Sequence, residues 1–366
     1  MRAAILETPG QPLIIANDVE IEEAGPGQVR VAVAHCGVCH SDLSVVNGSF
    51  PAETPIVLGH EASGVVESVG AGVSKLAPGD PVVLTPCPPC GTCYWCVRSE
   101  PGACENSLAL FSNRHRDGTT GLSRRGKTVM RGLGVAAFAE YVVTSENGAV
   151  KIPADVPLDI ACVIGCAVQT GVGAVLNTAR VQAGATVLVM GLGGIGLSIV
   201  QGARIAGAAR IIASDPLPAR RESAKKLGAT DLLDPRADDV PNAARELTGG
   251  IGVDYAFESV GSARICEAGI AACRNGGMTV AVGAAPISES INITPAALFT
   301  ATEKKLVGCL LGSSNSLREV PRLISLWQCG QLDLAALITN RRPLAQINDA
   351  MDDLAAGRGV RTVLSL

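Results

Sequence analysis

Residues 36–61, CGVCHSDLSVVNGSFPAETPIVLGHE, hold a thiol at Cys39, an imidazole at His60 and an acid beside each, Asp42 and Glu61. A thiolate and an imidazole are zinc donors. With Cys166 as a third ligand they would leave one corner of a tetrahedron open for water or substrate, as a catalytic zinc requires. Asp42 would accept from the other ring nitrogen of His60 and fix its tautomer. On these residues alone, a buried apolar cysteine and a satisfied core histidine explain the pattern as well. The rest of the chain decides between the two.

A second cluster follows in TPCPPCGTCYWCVRSEPGAC, with Cys87, Cys90, Cys93, Cys96 and Cys104. A thiolate every third residue lets a tight loop wrap a tetrahedral ion, and four close its shell. Spacing permits either Cys87, Cys90, Cys93 and Cys96 or Cys90, Cys93, Cys96 and Cys104. A structural zinc is expected; an iron–sulfur cluster and a disulfide cluster are the competing readings.

A third motif is Gly191-Leu192-Gly193-Gly194-Ile195-Gly196. It follows an apolar strand at 185–190 and opens a helix, and a second strand at 210–214 ends in Asp215. That context makes a dinucleotide-binding turn. Gly191 permits the tight turn, Gly193 a close approach to pyrophosphate and Gly196 helix–strand packing, with helix N–H groups facing the phosphates. Asp215 would accept from both ribose hydroxyls of an adenosine and repel a 2′-phosphate, favouring NAD over NADP. Arg220 and Arg221 close behind keep NADP as the second choice.

The elements positioning these groups change character along the chain. Up to about residue 167, short strand-like runs (3–6, 29–34, 62–69, 82–84, 138–143) alternate with Gly/Pro turns, indicating a β-rich domain. From Leu158 onward strands and helices alternate, the mark of a parallel sheet. Further strands are expected at 253–258 and 278–282, helices at 242–247, 316–328 and 344–356, and a last strand at 360–366. The basic run at 105–134 (Arg114, Arg116, Arg124, Arg125, Lys127, Arg131) reads as a solvated loop.

A chain of 366 residues implies two domains. The net charge of −4 gives no footprint for nucleic acid. Residues 181–203 carry no charge and resemble a membrane span by hydropathy, but six glycines interrupt them and the pattern is strand, turn and helix. MRAAILETPG lacks a charged leader followed by an apolar core, so no secretory signal is expected. Thirteen cysteines then point to a reducing, cytoplasmic setting with metal and thiol roles.

Taken together, the chain resembles the zinc-dependent medium-chain alcohol dehydrogenase family over essentially its whole length. The resemblance rests on GVCHSD at 37–42, GHE at 59–61, the cysteine lobe, IGC at 164–166, GLGGIG at 191–196 with Asp215, and VRTVL at 360–364. It implies an α/β protein: a β-rich GroES-like catalytic domain (1–167 and 311–366) and a doubly wound parallel-sheet Rossmann domain (168–310). It further implies two zinc ions per chain, one catalytic on Cys39, His60 and Cys166 and one structural on Cys90, Cys93, Cys96 and Cys104, with Cys87 spare. NAD would lie on Gly191, Gly193, Gly194, Ile195, Gly196 and Asp215. His40 and Arg361 would lie near its pyrophosphate, Thr170 near the nicotinamide and Arg220 near the adenosine ribose.

The implied reaction is reversible hydride transfer between a primary or secondary alcohol and NAD, giving an aldehyde or ketone in a homodimer or homotetramer, with Ser41 taking the alcohol proton. Three departures from the family stand out. Ser44 occupies the place where many members end a proton relay with histidine. Pro86 replaces an aromatic residue lining the substrate pocket. Phe50 and Leu108 stand where the glutathione–formaldehyde branch has an acid and an arginine. The alternative activity is therefore a thiol-adduct formaldehyde dehydrogenase using a thiol other than glutathione. Cys166, where sorbitol-type relatives usually have an acid, points to the alcohol branch.

Overall fold

The structure is a computed structural model describing residues 1–366, apart from the side chains of Leu108 and Ala109. The chain divides into two compact units, Met1–Gln169 with Asn315–Leu366, and Thr170–Ser314. The expected divisions stood at 167/168 and 310/311.

The first unit is built on a seven-stranded sheet. Six strands follow one another in the order Ala149–Lys151, Pro81–Leu84, Glu61–Val69, Gln28–Gly37, Arg361–Ser365 and Ile338–Pro343, and Tyr141–Ser145 also pairs with Gln28–Gly37. Gln28–Gly37 alternates half-buried and buried residues along QVRVAVA, the period-2 pattern of a sheet with one wetter face. Its far end pairs antiparallel with the start of Glu61–Val69, Cys36 opposite Ala62 and Gly37 opposite Glu61. Both motif-bearing segments therefore leave this sheet at one place. A core of apolar residues, including Ile5, Leu58, Leu84 and Phe138, packs in this unit.

The second unit carries a six-stranded parallel sheet in the order Asp231–Leu233, Arg210–Ser214, Thr186–Met190, Val253–Glu258, Cys273–Ala281 and Lys305–Gly308. In chain order this is 3-2-1-4-5-6, the doubly wound arrangement whose ligands bind where strand order reverses, beyond the carboxyl ends of strands 1 and 4. Thr186–Met190 is TVLVM, buried after its first residue, as expected of a strand covered on both faces. The fold is thus mixed α/β with a GroES-like first unit and a Rossmann-type second one. Residues 181–203 fold as strand Thr186–Met190, a turn and helix Gly194–Ile205. No single helix among the described residues is long and apolar enough to cross a membrane, although the bent pair Leu158–Gly165 and Ala167–Ala179 passes that test by composition.

Local departures have local causes. The strand expected at 138–143 forms at Tyr141–Ser145, because Phe138 instead gives its carbonyl to Ala4 N–H at 2.8 Å. The helix expected from 344 begins at Ile347, after a 3₁₀ turn at Leu344–Gln346 that follows Pro343. The run at 105–134 is not simply a solvated loop. It contains strands Leu122–Arg124, Lys127–Thr128 and Met130–Arg131, and Arg131 is only 5% exposed.

Candidate metal centre and nucleotide site

Cys39 caps the N-terminus of helix His40–Val46 and Asp42 closes the cap by accepting from the Cys39 N–H at 3.0 Å. The same carboxylate accepts from Gly59 N–H at 2.9 Å and meets His60 Nδ1 at 3.2 Å. Asp42, fully buried, therefore ties the thiol segment to the imidazole segment and leaves His60 Nε2 for another partner. Gly59 adopts φ +88°, and a side chain there would strike Phe138, so only glycine lets the chain turn into His60.

Cys166 arrives by a different route. Helix Leu158–Ala161 and the 3₁₀ turn Cys162–Gly165 lie along strand Glu61–Val69, anchored by Ser63 Oγ donating to the Leu158 carbonyl at 2.6 Å. Ala167 N–H, next after Cys166, donates to Glu61 Oε1 at 2.9 Å. Donor atoms of Cys39, His60 and Cys166 lie within 4.8 Å of one another, and Ser41 Oγ lies 4.0 Å from Cys39 Sγ.

Charge around these donors is matched. Arg361, 4% exposed, stands with Nε 3.0 Å from Glu61 Oε2, a Coulombic contact off hydrogen-bond alignment, and donates through Nη1 to the Val38 carbonyl at 2.7 Å. Burial lifts the Glu61 carboxyl to about 7 against the pull of Arg361. A side chain at Gly37 would collide with this carboxylate. A hydrogen bond from Cys166, aided by Arg361 and His60, outweighs burial and holds the Cys39 thiol well below its ordinary range, while Cys166 is pushed well above. Burial disfavours the charged form of His60, but Asp42 and Cys39 more than offset it and raise His60 well above its ordinary value. Three convergent soft and borderline donors, one of them a thiol held well below its ordinary range, fit a zinc ion with a corner left open.

In the lobe, the sulfurs of Cys90, Cys93, Cys96 and Cys104 also lie within 4.8 Å of one another. Cys90 and Cys96 are 4.0 Å apart and Cys93 and Cys104 3.8 Å. A tetrahedron with Zn–S bonds of about 2.3 Å has edges of about 3.8 Å, so the set fits zinc. Backbone N–H groups turn inward as well: Cys90 and Asn106 donate to Cys104 Sγ at 3.3 and 3.4 Å, and Cys93 donates to Cys90 Sγ at 3.3 Å. Against burial, N–H groups of Thr92 and Cys93 hold Cys90 down to about 6. Cys87, outside the set, is pushed up to about 12 by burial.

In the second unit, Gly191 takes φ +88° after strand Thr186–Met190, and Ser259 Oγ donates to its carbonyl at 2.9 Å. An added carbon at Gly196 would collide with that carbonyl oxygen, whereas at Gly193 it would meet nothing within 4 Å. The opening beside Gly193, at the N-terminus of a twelve-residue helix, fits a pyrophosphate. Gly194 is buried and Ile195 half-buried in the first helical turn. Asp215 accepts from Leu192 N–H through Oδ2 and Leu217 N–H through Oδ1, both at 2.8 Å. Arg220 Nη1 stands 3.8 Å from it, and Arg221 donates to the Asp215 carbonyl at 2.6 Å and pairs with Asp234 at 3.2 Å.

The remaining expected residues lie within their own units. His40 is exposed on the first turn after Cys39, and Ser41, Ser44 and Phe50 are half-buried. Pro86 is buried, as is Thr170 in helix Ala167–Gly173. The Leu108 side chain lies outside the described residues. Sequence reasoning missed the clearance that Gly37 gives Glu61; its only trace was a glycine opposite a buried acid across two strands.

Two family models match the chain: the alcohol dehydrogenase GroES-like domain over residues 25–154 and the zinc-binding dehydrogenase over residues 194–326. Among solved structures, an alcohol dehydrogenase zinc-binding domain protein from Burkholderia ambifaria is 36% identical, with TM-score 0.94, over 100% of this chain and 98% of its own. Benzyl alcohol dehydrogenase from Acinetobacter calcoaceticus is 31% identical with TM-score 0.94, over 100% and 99%. A protein described as a zinc-binding dehydrogenase from Sinorhizobium meliloti, solved with NADP, is 28% identical with TM-score 0.82, over 100% and 99%.

Proposed function

The chain belongs to the zinc-dependent medium-chain alcohol dehydrogenase family, and from that premise we propose that it is an NAD-dependent alcohol dehydrogenase interconverting primary or secondary alcohols with aldehydes or ketones. The observation carrying this reading is the convergence of Cys39, His60 and Cys166, with His60 oriented by Asp42 and a hydroxyl, Ser41, 4.0 Å from the Cys39 sulfur. Zinc held by these donors would supply Lewis acidity toward the substrate oxygen, and a bound nicotinamide would supply the hydride acceptor or donor.

The residues do the rest. Asp42 holds His60 in one tautomer, and Glu61 with Arg361 fixes the segment bearing Cys166. Ser41 Oγ receives the alcohol proton and hands its own outward. Ser44 at the usual histidine place has no basicity near neutral pH, so water or another route finishes that transfer. Gly193, Gly194, Ile195 and Gly196 present backbone N–H groups to the pyrophosphate, while Gly191 makes the tight turn and gives its own N–H to the Ser214 carbonyl at 2.9 Å. Asp215 keeps lone pairs for ribose hydroxyls and opposes a 2′-phosphate, which supports NAD although one relative was solved with NADP.

Cys90, Cys93, Cys96 and Cys104 would hold a second, structural zinc. All thirteen cysteines are free of disulfides, which suits a reducing cytoplasmic setting, and the enzyme works as a homodimer or homotetramer. Purified protein should contain two zinc ions per chain. It should reduce NAD with members of a panel of aliphatic, secondary and aromatic primary alcohols, the last included because of the likeness to benzyl alcohol dehydrogenase. Turnover of formaldehyde only when a thiol is added would replace this reading with the thiol-adduct one. Loss of activity neither on chelation nor in Cys39→Ser would end the metal assignment.

A further inference from the structure

Arg131 is a buried charge that the proposed reaction does not use. It ends strand Met130–Arg131, which runs parallel to Ile56–Val57, and is 5% exposed. A buried guanidinium ordinarily faces a carboxylate, because removing an ion from water is costly unless another charge compensates. Here the side chain makes one long hydrogen bond, from Nη2 to the Val143 carbonyl at 3.4 Å. Among the described residues no carboxylate stands within ion-pairing distance, and burial alone pulls its pKa to about 10. Acids of neighbouring segments are engaged elsewhere: Glu53 with Arg114, Glu105 with Arg116, and Asp117 with Thr119. Glu22 is exposed.

The guanidinium lines a small pocket, partly open to solvent, with Thr120, Leu122, Val135, Tyr141 and Val143. Its lining side chains carry no negative charge, and the nearest acid, the exposed Glu22, stands beside the Gly121 that also lines it. Thr120 Oγ1 is committed to the Leu122 carbonyl at 3.2 Å, and the Tyr141 ring lies under the Arg30 guanidinium at 4.4 Å. His115 stays neutral, its pKa pulled to about 4 by burial and by the charge on Arg131.

We infer that this cavity binds one small inorganic monoanion of chloride's size, held by Arg131 as its buried counter-ion. The apolar walls favour a weakly hydrated halide, so bromide should substitute for chloride. The site lies in the first unit, is separate from both cysteine clusters, and does not depend on the proposed reaction.

The test is thermal unfolding of the zinc-loaded protein at constant ionic strength, with sodium gluconate replaced by sodium chloride or bromide. At about 100 mM halide the wild type should melt about 2 °C higher. Arg131→Met, which keeps bulk and removes charge, should melt at the same temperature in all three salts. Crystals grown in bromide should show an anomalous peak beside the guanidinium, a readout needing no variant. A cavity holding only water in those crystals, equal melting of the wild type in gluconate and halide, or a halide shift that survives Arg131→Met would each overturn the assignment.

Discussion

Gly193→Ala separates cofactor binding from folding. Gly193 is extended at φ −74° and ψ −166°, caps helix Gly194–Ile205, and would place a methyl in open space. Alanine is a poorer cap than glycine by about 0.5–1 kcal/mol, while the stiffer unfolded chain returns about 0.4–1 kcal/mol. The two nearly cancel, so the melting temperature should move by less than about 2 °C. If pyrophosphate sits on this helix end, the methyl stands between it and the N–H groups. Each charge-assisted hydrogen bond lost there is worth about 1.5–3 kcal/mol, so NAD should bind roughly tenfold to a hundredfold more weakly per bond. Calorimetric titration with NAD measures this directly. Gly196→Ala is the contrast: its methyl would collide with the Gly191 carbonyl oxygen, and overpacking against backbone should destabilise by about 1–3 kcal/mol. A Gly193→Ala protein that melts like wild type and binds NAD within about twofold of it would refute the placement of the phosphates.

Further outcomes follow from other contacts. Asp42→Asn, which replaces the charge facing His60 Nδ1 at 3.2 Å, should lower zinc affinity about 10–100-fold in a chelator competition. Asp215→Gly removes the acceptor at the end of strand Arg210–Ser214 and should shift the kcat/KM ratio from NAD towards NADP; an unchanged ratio removes Asp215 as the discriminator. Cys104→Ser should cost one zinc per chain by metal analysis and lower the melting temperature, with NAD affinity retained. His115 has its folded pKa depressed to about 4, chiefly by burial and then by Arg131. Its contribution is therefore complete above the unfolded value near 6.5 and fades as pH falls towards 4. His115→Gln should flatten the decline of melting temperature across that window.

The parts legible in the sequence were those where one residue type at one spacing has one use. The turn at 191–196 between a β-branched strand and a helix specified a parallel nucleotide-type unit, and helix Ser316–Gln328 has the expected bounds. Cysteine spacing alone left Cys87 and Cys104 as equal candidates. A 3₁₀ turn at Pro101–Ala103 and N–H donors from Cys90 and Asn106 bring Cys104 in, and no local pattern encodes that return. Arg361, expected near the pyrophosphate, also turns its guanidinium to Glu61 and Val38, a pairing across about three hundred residues that no local pattern encodes. Arg131 was invisible for a similar reason. A basic residue among five others looks solvated until Met130–Arg131 joins a strand that buries it.

Strand Arg361–Ser365 completes the sheet beside Gln28–Gly37 and brings the cation that faces Glu61 across a separation of hundreds of residues. During synthesis on the ribosome, the whole Thr170–Ser314 unit is therefore made before the first unit receives this strand. A nascent chain halted in between would carry a contiguous four-thiol lobe able to capture metal. Its Glu61 would meanwhile lack a counter-charge beside the segment that delivers Cys166. If both sites bind zinc as proposed, loading would then come in two stages, the lobe early and the three-donor centre only once the late strand has docked.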